Sequence, residues 1–348
     1  MSIATLNDIF FATLERNLER VMLYRENGKW LPISAREFGH KVIRTAHALH
    51  ALGIKPGDRV GLLSENRPEW STADFATLLL KAVTVPLYTT LTPDQTAFAL
   101  ADSECRAIFV SSDQHLHKVL SILPQTRIEK IIVMDSLEFT GDLTPFAAKC
   151  VSMRQVTEDG PTTLGAEIES RARSTGPDDL ATIVYTSGTT GTSKGAMLTH
   201  GNIASNIQCS LLGFDMRPGL VSISFLPLCH ITARHVDFAM FYYGVTLAYC
   251  PFFQDLPQVL QEVRPSIFVA VPRVYEKSMP RRGSKRRAFP SAPSSTGLSR
   301  WAANTSPRFW QERRPVLAPG SLLTGWCSRR SAKPWAGRSG LLFLEGLR

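Results

Sequence analysis

The sequence predicts a doubly wound α/β fold, in which helices cover both faces of mostly parallel sheets. Apolar runs of strand length alternate with amphipathic segments of helical period along most of the chain. Parallel neighbours require crossover connections, which helices supply, so this alternation favours parallel sheets. With 348 residues, of which 44% are apolar, the chain has material for more than one core.

The individual elements follow from periodicity and from capping residues. Residues 1–21 predict an amphipathic helix and not a signal peptide, because charged side chains interrupt the apolar run. Asn66, Thr92 and Thr199 are predicted helix caps. The other predicted helices lie at 42–52, 115–123, 236–244 and 255–263, and the predicted strands at 59–64, 84–90, 106–112, 130–135, 180–186, 194–198, 221–226, 245–250 and 266–271.

Composition divides the chain into regions. Residues 1–138 and 180–279 carry the helix and strand rhythm and are predicted subdomains of one incomplete domain, 1–279. Residues 139–179 are richer in Gly, Pro, Thr and charge, so they are predicted to connect the two subdomains. Residues 280–348 have neither helical nor strand period and contain four of the six tryptophans.

The tail, residues 280–348, is strongly basic. It holds fourteen of the 39 Lys and Arg residues but two of the 30 acidic residues, so it accounts for the net charge of +9. It could be a disordered arm, a nucleic-acid-binding appendage, or the product of a shifted reading frame in GC-rich DNA. We favour the frameshift, because the pattern stops inside a helix that opens at Pro272. A disordered, non-homologous tail after Met279 is therefore expected, with no nucleic acid partner.

Cysteine and hydropathy patterns bear on location and on metal binding. The six cysteines form no CxxC pair and no ligand spacing with the eight histidines, so we expect buried reduced thiols and no metal ligands. No apolar run approaches membrane-spanning length. A cytoplasmic protein is expected, with peripheral membrane contact left open.

The segment YTSGTTGTSKG, Tyr185–Gly195, is the most informative part of the sequence. It follows an apolar strand and combines three glycines, several hydroxyl side chains and one lysine. The glycines are expected to permit positive φ and close approach to a ligand, while hydroxyl and backbone N–H groups donate to phosphate oxygens. It differs from a Walker loop, because glycine follows the lysine. The predicted phosphate-binding residues are Thr186, Ser187, Gly188, Thr189, Thr190, Gly191, Thr192, Lys194 and Gly195.

This loop closely resembles the phosphate loop of the acyl-adenylate-forming (AMP-binding) superfamily, with Ser193 at the position of the family's usual proline. Residues 57–70 and 82–95 also look like the N-terminal subdomain of that family. FLPLCHITARHVDF, from Phe225, is similar to the segment whose histidine lies near the acyl carboxylate, and His230 is the match. VPRVYEKS, from Val271, is typical of the long-chain fatty acyl-CoA synthetase branch.

The resemblance implies the N-terminal part of an acyl-CoA synthetase large domain. In this family a fatty acid carboxylate attacks the α-phosphorus of ATP and expels pyrophosphate, which leaves an acyl adenylate. The thiol of coenzyme A then attacks the acyl carbonyl of this adenylate and displaces AMP. ATP, Mg²⁺ and coenzyme A are thus expected, with Lys194 and His230 as catalytic residues and Lys194 facing mainly the β- and γ-phosphates. The family's adenine-stacking aromatic, ribose-binding aspartate, hinge and lid lysine are not found, so a truncated, inactive copy is expected.

Several side chains allow a second interpretation. His230 could be a core histidine bonded to backbone, and His200 is expected at a helix start. Arg234 and His235 are at least as consistent with solvated roles as with functional ones. The aromatic residues of the helix at 236–244 could line an acyl tunnel, but core packing is favoured; they are Phe238, Phe241, Tyr242 and Tyr243.

Other functions also stay open. The body could activate an aryl or short-chain acid, or deliver the acyl group to an acyl carrier protein. It could also be a non-catalytic nucleotide-binding remnant. From a different class, the basic tail could bind nucleic acid or an anionic surface.

Overall fold

The computed structural model describes residues 3–135, 141–187, 193–210, 214–271, 274 and 342–345. Contacts divide the chain into two compact units. The larger comprises Met1–Leu220 and Ser224–Phe252, and the smaller comprises Val221–Ile223 and Phe253–Arg348. Most strand pairs are parallel and most connections between them contain a helix, which confirms the predicted α/β fold class.

The described residues form the following elements. The helices are α1 (Leu6–Arg16), α2 (Ala35–Ala51), α3 (Pro68–Leu79), α4 (Pro93–Asp102), α5 (Asp113–Ile122), α6 (Met153–Glu158), α7 (Ala166–Arg173), α8 (His200–Ser210), α9 (Ile231–Tyr243) and α10 (Leu256–Val263). The strands are β1 (Met22–Glu26), β2 (Lys29–Ile33), β3 (Arg59–Leu63), β4 (Val83–Leu87), β5 (Cys105–Val110), β6 (Lys130–Val133), β7 (Cys150–Ser152), β8 (Leu180–Ser187), β9 (Ser193–Thr199), β10 (Val221–Ser224), β11 (Thr246–Tyr249), β12 (Ile267–Ala270) and β13 (Leu342–Glu345).

A seven-stranded sheet dominates the larger unit, with the strand order β7-β6-β5-β3-β4-β8-β9. Neighbouring strands are parallel, except that β8 and β9 are antiparallel. The chain leaves β3 for β4 on one side and then returns to β5 on the other side. The strand order therefore reverses at β3 and β5, and such a switch point leaves a crevice outside the carboxyl ends of the strands.

Two of the three predicted caps form hydrogen bonds with the first turn of their own helix. Thr92 exchanges reciprocal hydrogen bonds with the first turn of α4, so this predicted cap is confirmed. Thr199 and Asn202 exchange the same kind of bonds at the start of α8. The prediction for Asn66 is wrong. The cap position of α3 is Arg67, and the Asn66 side-chain amide donates to the Leu226 carbonyl oxygen instead.

β1 and β2 form a hairpin that the sequence analysis did not predict. The two strands pair antiparallel up to Glu26, which lies opposite Lys29. Asn27 and Gly28 form the turn with positive φ angles of 49° and 77°. An Asn-Gly pair is the strongest local signal for such a two-residue turn, so the hairpin was predictable.

Two further strands, β7 and β13, lie where the sequence showed no strand pattern. β7 falls within residues 139–179 and extends the large sheet as a parallel neighbour of β6. In the smaller unit, β12 pairs parallel with β10 and antiparallel with β13. The four residues of β13 are thus an exception to the disorder expected for the tail, whose other residues lie outside those described.

Phenylalanine rings from four helices form one core cluster of the larger unit. Phe10 of α1, Phe38 of α2, Phe75 of α3, and Phe238 and Phe241 of α9 are each at most 2% exposed. Neighbouring ring centroids in this cluster are 5.2 to 6.1 Å apart, mostly edge to face. The core interpretation of these α9 phenylalanines is therefore confirmed, and the two tyrosines that follow them are half-buried. None of the helices formed by the described residues is long and apolar enough to cross a membrane.

Candidate active site

The described residues on either side of the predicted phosphate loop belong to the paired strands β8 and β9. Thr186 lies opposite Lys194, and Ser187 lies opposite Ser193. Because β8 runs parallel to β4, the end of β8 next to this loop lies at the carboxyl edge of the sheet. Five of the predicted phosphate-binding residues lie outside the described residues, so their roles stay predictions: Gly188, Thr189, Thr190, Gly191 and Thr192.

The strand ends at the base of this loop are polar and accessible. Thr186 and Lys194 are both exposed, so the pairing sets a hydroxyl and an ammonium group side by side next to the glycine turn. The Ser193 hydroxyl donates to the Thr186 carbonyl oxygen at 3.2 Å. Serine at this position therefore adds a side-chain hydrogen bond across the hairpin, which the family's usual proline could not make.

Tyr185 anchors the hairpin in the body of the larger unit. Its ring is buried, and its hydroxyl donates to the Asp102 carboxylate at 2.6 Å. The ring also packs edge to face against Phe98, with 6.3 Å between ring centroids. The strand that leads into the turn is thus held by an aromatic contact and by a charge-assisted hydrogen bond.

Gly195 is required for space and not for positive φ, which corrects the sequence prediction for this residue. Its φ lies outside the left-handed region. A Cβ atom at Gly195 would lie 2.7 Å from Ile183 Cγ2 and 3.3 Å from the Tyr185 ring. The absence of a side chain leaves room for the Ile183 and Tyr185 side chains of the paired strand β8.

Replacing Gly195 by alanine should lower the free energy of unfolding by about 1–3 kcal/mol, the usual cost of overpacking. Chemical denaturation of the purified chain measures this difference. Gly176→Ala is the matched control, because a Cβ there would meet only the Asp179 carboxylate at 3.8 Å. Equal stability of the two variants would contradict the packing role of Gly195.

His230 is the N-cap of α9. Its Nδ1 accepts a hydrogen bond from the Thr232 backbone N–H at 3.2 Å, and its side chain is exposed. The alternative of a buried core histidine is therefore wrong. Because Nδ1 is an acceptor here, the neutral ring carries its proton on Nε2, which is then a hydrogen-bond donor.

Arg234, one turn further along α9, is buried, so a solvated role is wrong for it. Its Nε donates to Asp74 Oδ2 at 2.7 Å and its Nη2 to Asp74 Oδ1 at 2.5 Å, while both side chains are 1% exposed. The Thr84 hydroxyl donates to the same carboxylate at 2.8 Å. This bidentate pair joins α9 to α3 within the larger unit.

Two other histidines near α9 are neutral structural groups. His200 starts α8, as predicted, and its Nδ1 accepts from the Leu6 backbone N–H at 3.2 Å. Burial lowers the pKa of His200 to about 4. His235 is half-buried with Nε2 3.2 Å from the Ser210 hydroxyl, and burial lowers the pKa of His235 to about 4 as well.

A cleft of about 560 Å³ opens at the carboxyl ends of β3, β5 and β6, at the switch point of the sheet. Its walls include Glu65, Arg67, Ser111 and Asp135. Arg67 donates to Asp135 at 2.7 Å, and Ser111 donates to Glu65 at 2.6 Å. Burial acts to raise the pKa of Glu65, but hydrogen bonds from His115 and Ser111 outweigh it and lower this pKa to about 2. Among the described residues that line this cleft, none is a residue that the sequence singled out as catalytic or phosphate-binding.

The family model for AMP-binding enzymes matches residues 10–326. The chain belongs to the AMP-binding enzyme family. A long-chain-fatty-acid–CoA ligase of Mycobacterium bovis is 33% identical over 270 residues, which cover 76% of this chain and 43% of that protein. Peroxisomal long chain acyl-CoA synthetase 7 of Arabidopsis thaliana is 34% identical over 290 residues, which cover 79% of this chain and 40% of that protein. The chain thus spans about two fifths of the length of these curated relatives.

Solved structures agree with this AMP-binding assignment at the level of the fold. A long-chain-fatty-acid-CoA ligase from Archaeoglobus fulgidus matches with a TM-score of 0.63 at 21% identity, over 76% of this chain and 52% of the other. The inhibitor-bound N-terminal domain of FACL13 from Mycobacterium tuberculosis matches with a TM-score of 0.64 at 23% identity, over 86% and 73%. The resemblance found in the sequence is confirmed.

The family match continues beyond Met279, so the domain end placed there stays a prediction.

Proposed function

We propose that the site of this AMP-binding enzyme is one for activating a long-chain fatty acid with ATP, first to the acyl adenylate and then to acyl-CoA, with negligible turnover expected of residues 1–348 themselves. One observation carries the proposal: the register of β8 and β9 sets exposed Lys194 beside exposed Thr186 at the base of the glycine turn. The relatives described above, which are named as long-chain ligases and synthetases, support the choice of substrate.

The chemistry needs positive charge and hydrogen-bond donors at the phosphates. As pyrophosphate leaves, negative charge builds up on its oxygens, and preorganised donors stabilise that charge at little reorganisation cost. Lys194 supplies a compact positive charge, and the hydroxyl groups of the loop supply donors. Mg²⁺ would be held largely by the phosphates themselves, as is usual for nucleotide-bound magnesium.

His230 would act at the acyl end of the reaction. Because its Nδ1 accepts from the backbone of α9, its Nε2–H is the atom available to a carboxylate oxygen. In this role His230 orients the fatty acid carboxylate toward the α-phosphorus, and the gain comes from positioning. Coenzyme A is the proposed acyl acceptor.

Replacing Lys194 by alanine should weaken MgATP binding about 10- to 100-fold, the usual effect of losing one hydrogen bond to a charged group. Calorimetric titration of the full chain with MgATP measures this change. Lys29→Ala is the matched control, because Lys29 is an exposed lysine on β2 and is not one of the predicted phosphate-binding residues. Absence of MgATP binding by the wild-type chain, or equal binding by Lys194→Ala, would overturn the proposal.

A second assay tests turnover and substrate class. ATP–pyrophosphate exchange is measured with palmitate, a short-chain acid and an aryl acid as alternative substrates. Exchange with palmitate would support the proposed substrate, and it would contradict the negligible turnover expected for residues 1–348, which stays a prediction. Exchange with only the aryl or short-chain acid would contradict the proposed substrate.

A further inference from the structure

The segment that leads to His230 is held by one distant side chain, Asn66. The Asn66 Nδ2 group donates to the Leu226 carbonyl oxygen at 2.8 Å and to the Ser224 hydroxyl at 3.1 Å. Its Oδ1 accepts from the Leu228 backbone N–H at 3.3 Å. Asn66 is 4% exposed, so its side chain makes these three bonds from a buried position.

These bonds need an amide of this length. Both donor hydrogens and the acceptor oxygen of Asn66 have partners on a segment of five residues. An aspartate of the same size could accept from Leu228 but could not donate to Leu226. The Ser224 hydroxyl already donates its hydrogen to Asp237 at 2.7 Å, so it can only accept from the residue at position 66. Among residue types of this size, asparagine alone meets all three requirements.

The other side of His230 is also fixed by α3. His230 ends a tight turn in which its N–H donates to the Pro227 carbonyl oxygen at 2.9 Å. After His230, the Arg234 and Asp74 pair holds the first turns of α9 on α3. Asn66 lies two residues before α3, so the chain on both sides of the histidine is held by α3 and by the segment that leads into it.

We propose that Asn66 is a positioning residue for His230: it holds the segment 224–228 so that the imidazole keeps its place and its Nδ1 bond at the start of α9. This inference rests on the proposed role of His230 in binding the acyl carboxylate. Asn66 itself would touch neither fatty acid nor ATP. Its effect would come entirely through the position of the imidazole.

Asn66→Asp is the test variant, because it keeps the side-chain size and replaces the two donated bonds by a carboxylate that only accepts. Asn7→Asp is the matched control, and it brings the same charge into a buried position, so the effect of the charge is matched. Asn7 is also buried and donates to the Ala172 carbonyl oxygen at 3.0 Å and to the Thr175 hydroxyl at 3.2 Å, with no bond to the His230 segment. Both variants lose buried hydrogen bonds and should lower the thermal midpoint of unfolding. The control therefore matches the test variant in its loss of stability.

The readouts are the ¹⁵N and ¹H resonances of the His230 ring, assigned with a His230→Gln variant, and the binding of a fluorescent C16 fatty acid in the presence of MgATP. We expect Asn66→Asp to shift or broaden the His230 signals and to weaken fatty acid binding at least 10-fold. Asn7→Asp should leave both unchanged at a temperature where it is folded. If Asn66→Asp does not fold, Asn66→Ser, which keeps one donor, replaces it.

The outcomes separate this inference from the proposed function. Unchanged His230 signals in Asn66→Asp, or equal changes in Asn7→Asp, would overturn the positioning role. Shifted signals in Asn66→Asp, together with a wild-type chain that binds no fatty acid, would support the positioning role and contradict the proposed function.

Discussion

Replacing Arg234 by methionine should lower the free energy of unfolding by about 3–5 kcal/mol, the typical cost of removing one partner of a buried ion pair. The variant leaves the Asp74 carboxylate buried, with the Thr84 hydroxyl but without its cation. The guanidinium also lies 5.3 Å from the Phe238 ring centroid, so a favourable cation–π contact is lost as well. Equilibrium denaturation measures the effect.

A matched control and a double variant show whether the pair itself is responsible. Arg154 pairs with Glu158 at the surface, so Arg154→Met should leave the unfolding midpoint unchanged. Asp74→Asn combined with Arg234→Met should be less destabilised than the sum of the two single variants, because no unpaired charge stays buried. If Arg234→Met unfolds at the wild-type midpoint, the pair does not hold α9 on α3.

Asp237→Asn should stabilise the protein at pH 8.5 by about 4 kcal/mol, while changing its stability little near pH 4. Burial raises the pKa of the Asp237 carboxyl to about 7, from an ordinary value of 3.8. The folded state therefore holds the proton more tightly than the unfolded state, and stability is lost as the pH rises from about 4 to about 7. Roughly three pKa units correspond to about 4 kcal/mol above pH 7.

Asparagine at position 237 mimics the protonated acid and keeps an acceptor for the Ser224 hydroxyl, which donates to Asp237 at 2.7 Å. The measurement is the unfolding free energy of both proteins at several pH values between 4 and 8.5. Asp94→Asn, at an exposed position in the first turn of α4, is the control. Parallel pH profiles for wild type and Asp237→Asn would contradict a buried, protonated carboxyl.

Local signals were enough to predict most of the elements. Thr92 caps α4 through bonds within four residues, and such chemistry can be found in a short window of sequence. The hairpin turn at Asn27 and Gly28 was predictable for the same reason, although it was missed. The glycine and hydroxyl segment before Lys194 also identified the family, because its pattern is local.

Long-range partners explain the incorrect predictions. Asn66 is a residue type that often caps helices, but its side-chain amide forms hydrogen bonds with Leu226 and Leu228, about 160 residues away. Arg234 was predicted to be as compatible with solvent as with function, yet it pairs with Asp74 at a similar separation. A short window of sequence, of the length used to predict a helix or a strand, never contains both members of such a pair.

By itself, the amino-acid sequence determined the alternation of helices and strands, the fold class and the loop that carries the family resemblance, because these depend on neighbouring residues and on side-chain period. Only the tertiary structure decided which polar groups are buried together, and with them the roles of Asn66, Arg234 and Gly195. The physical reason is that burial and pairing depend on which distant segments meet, and that is settled only when the sheet and its helices pack.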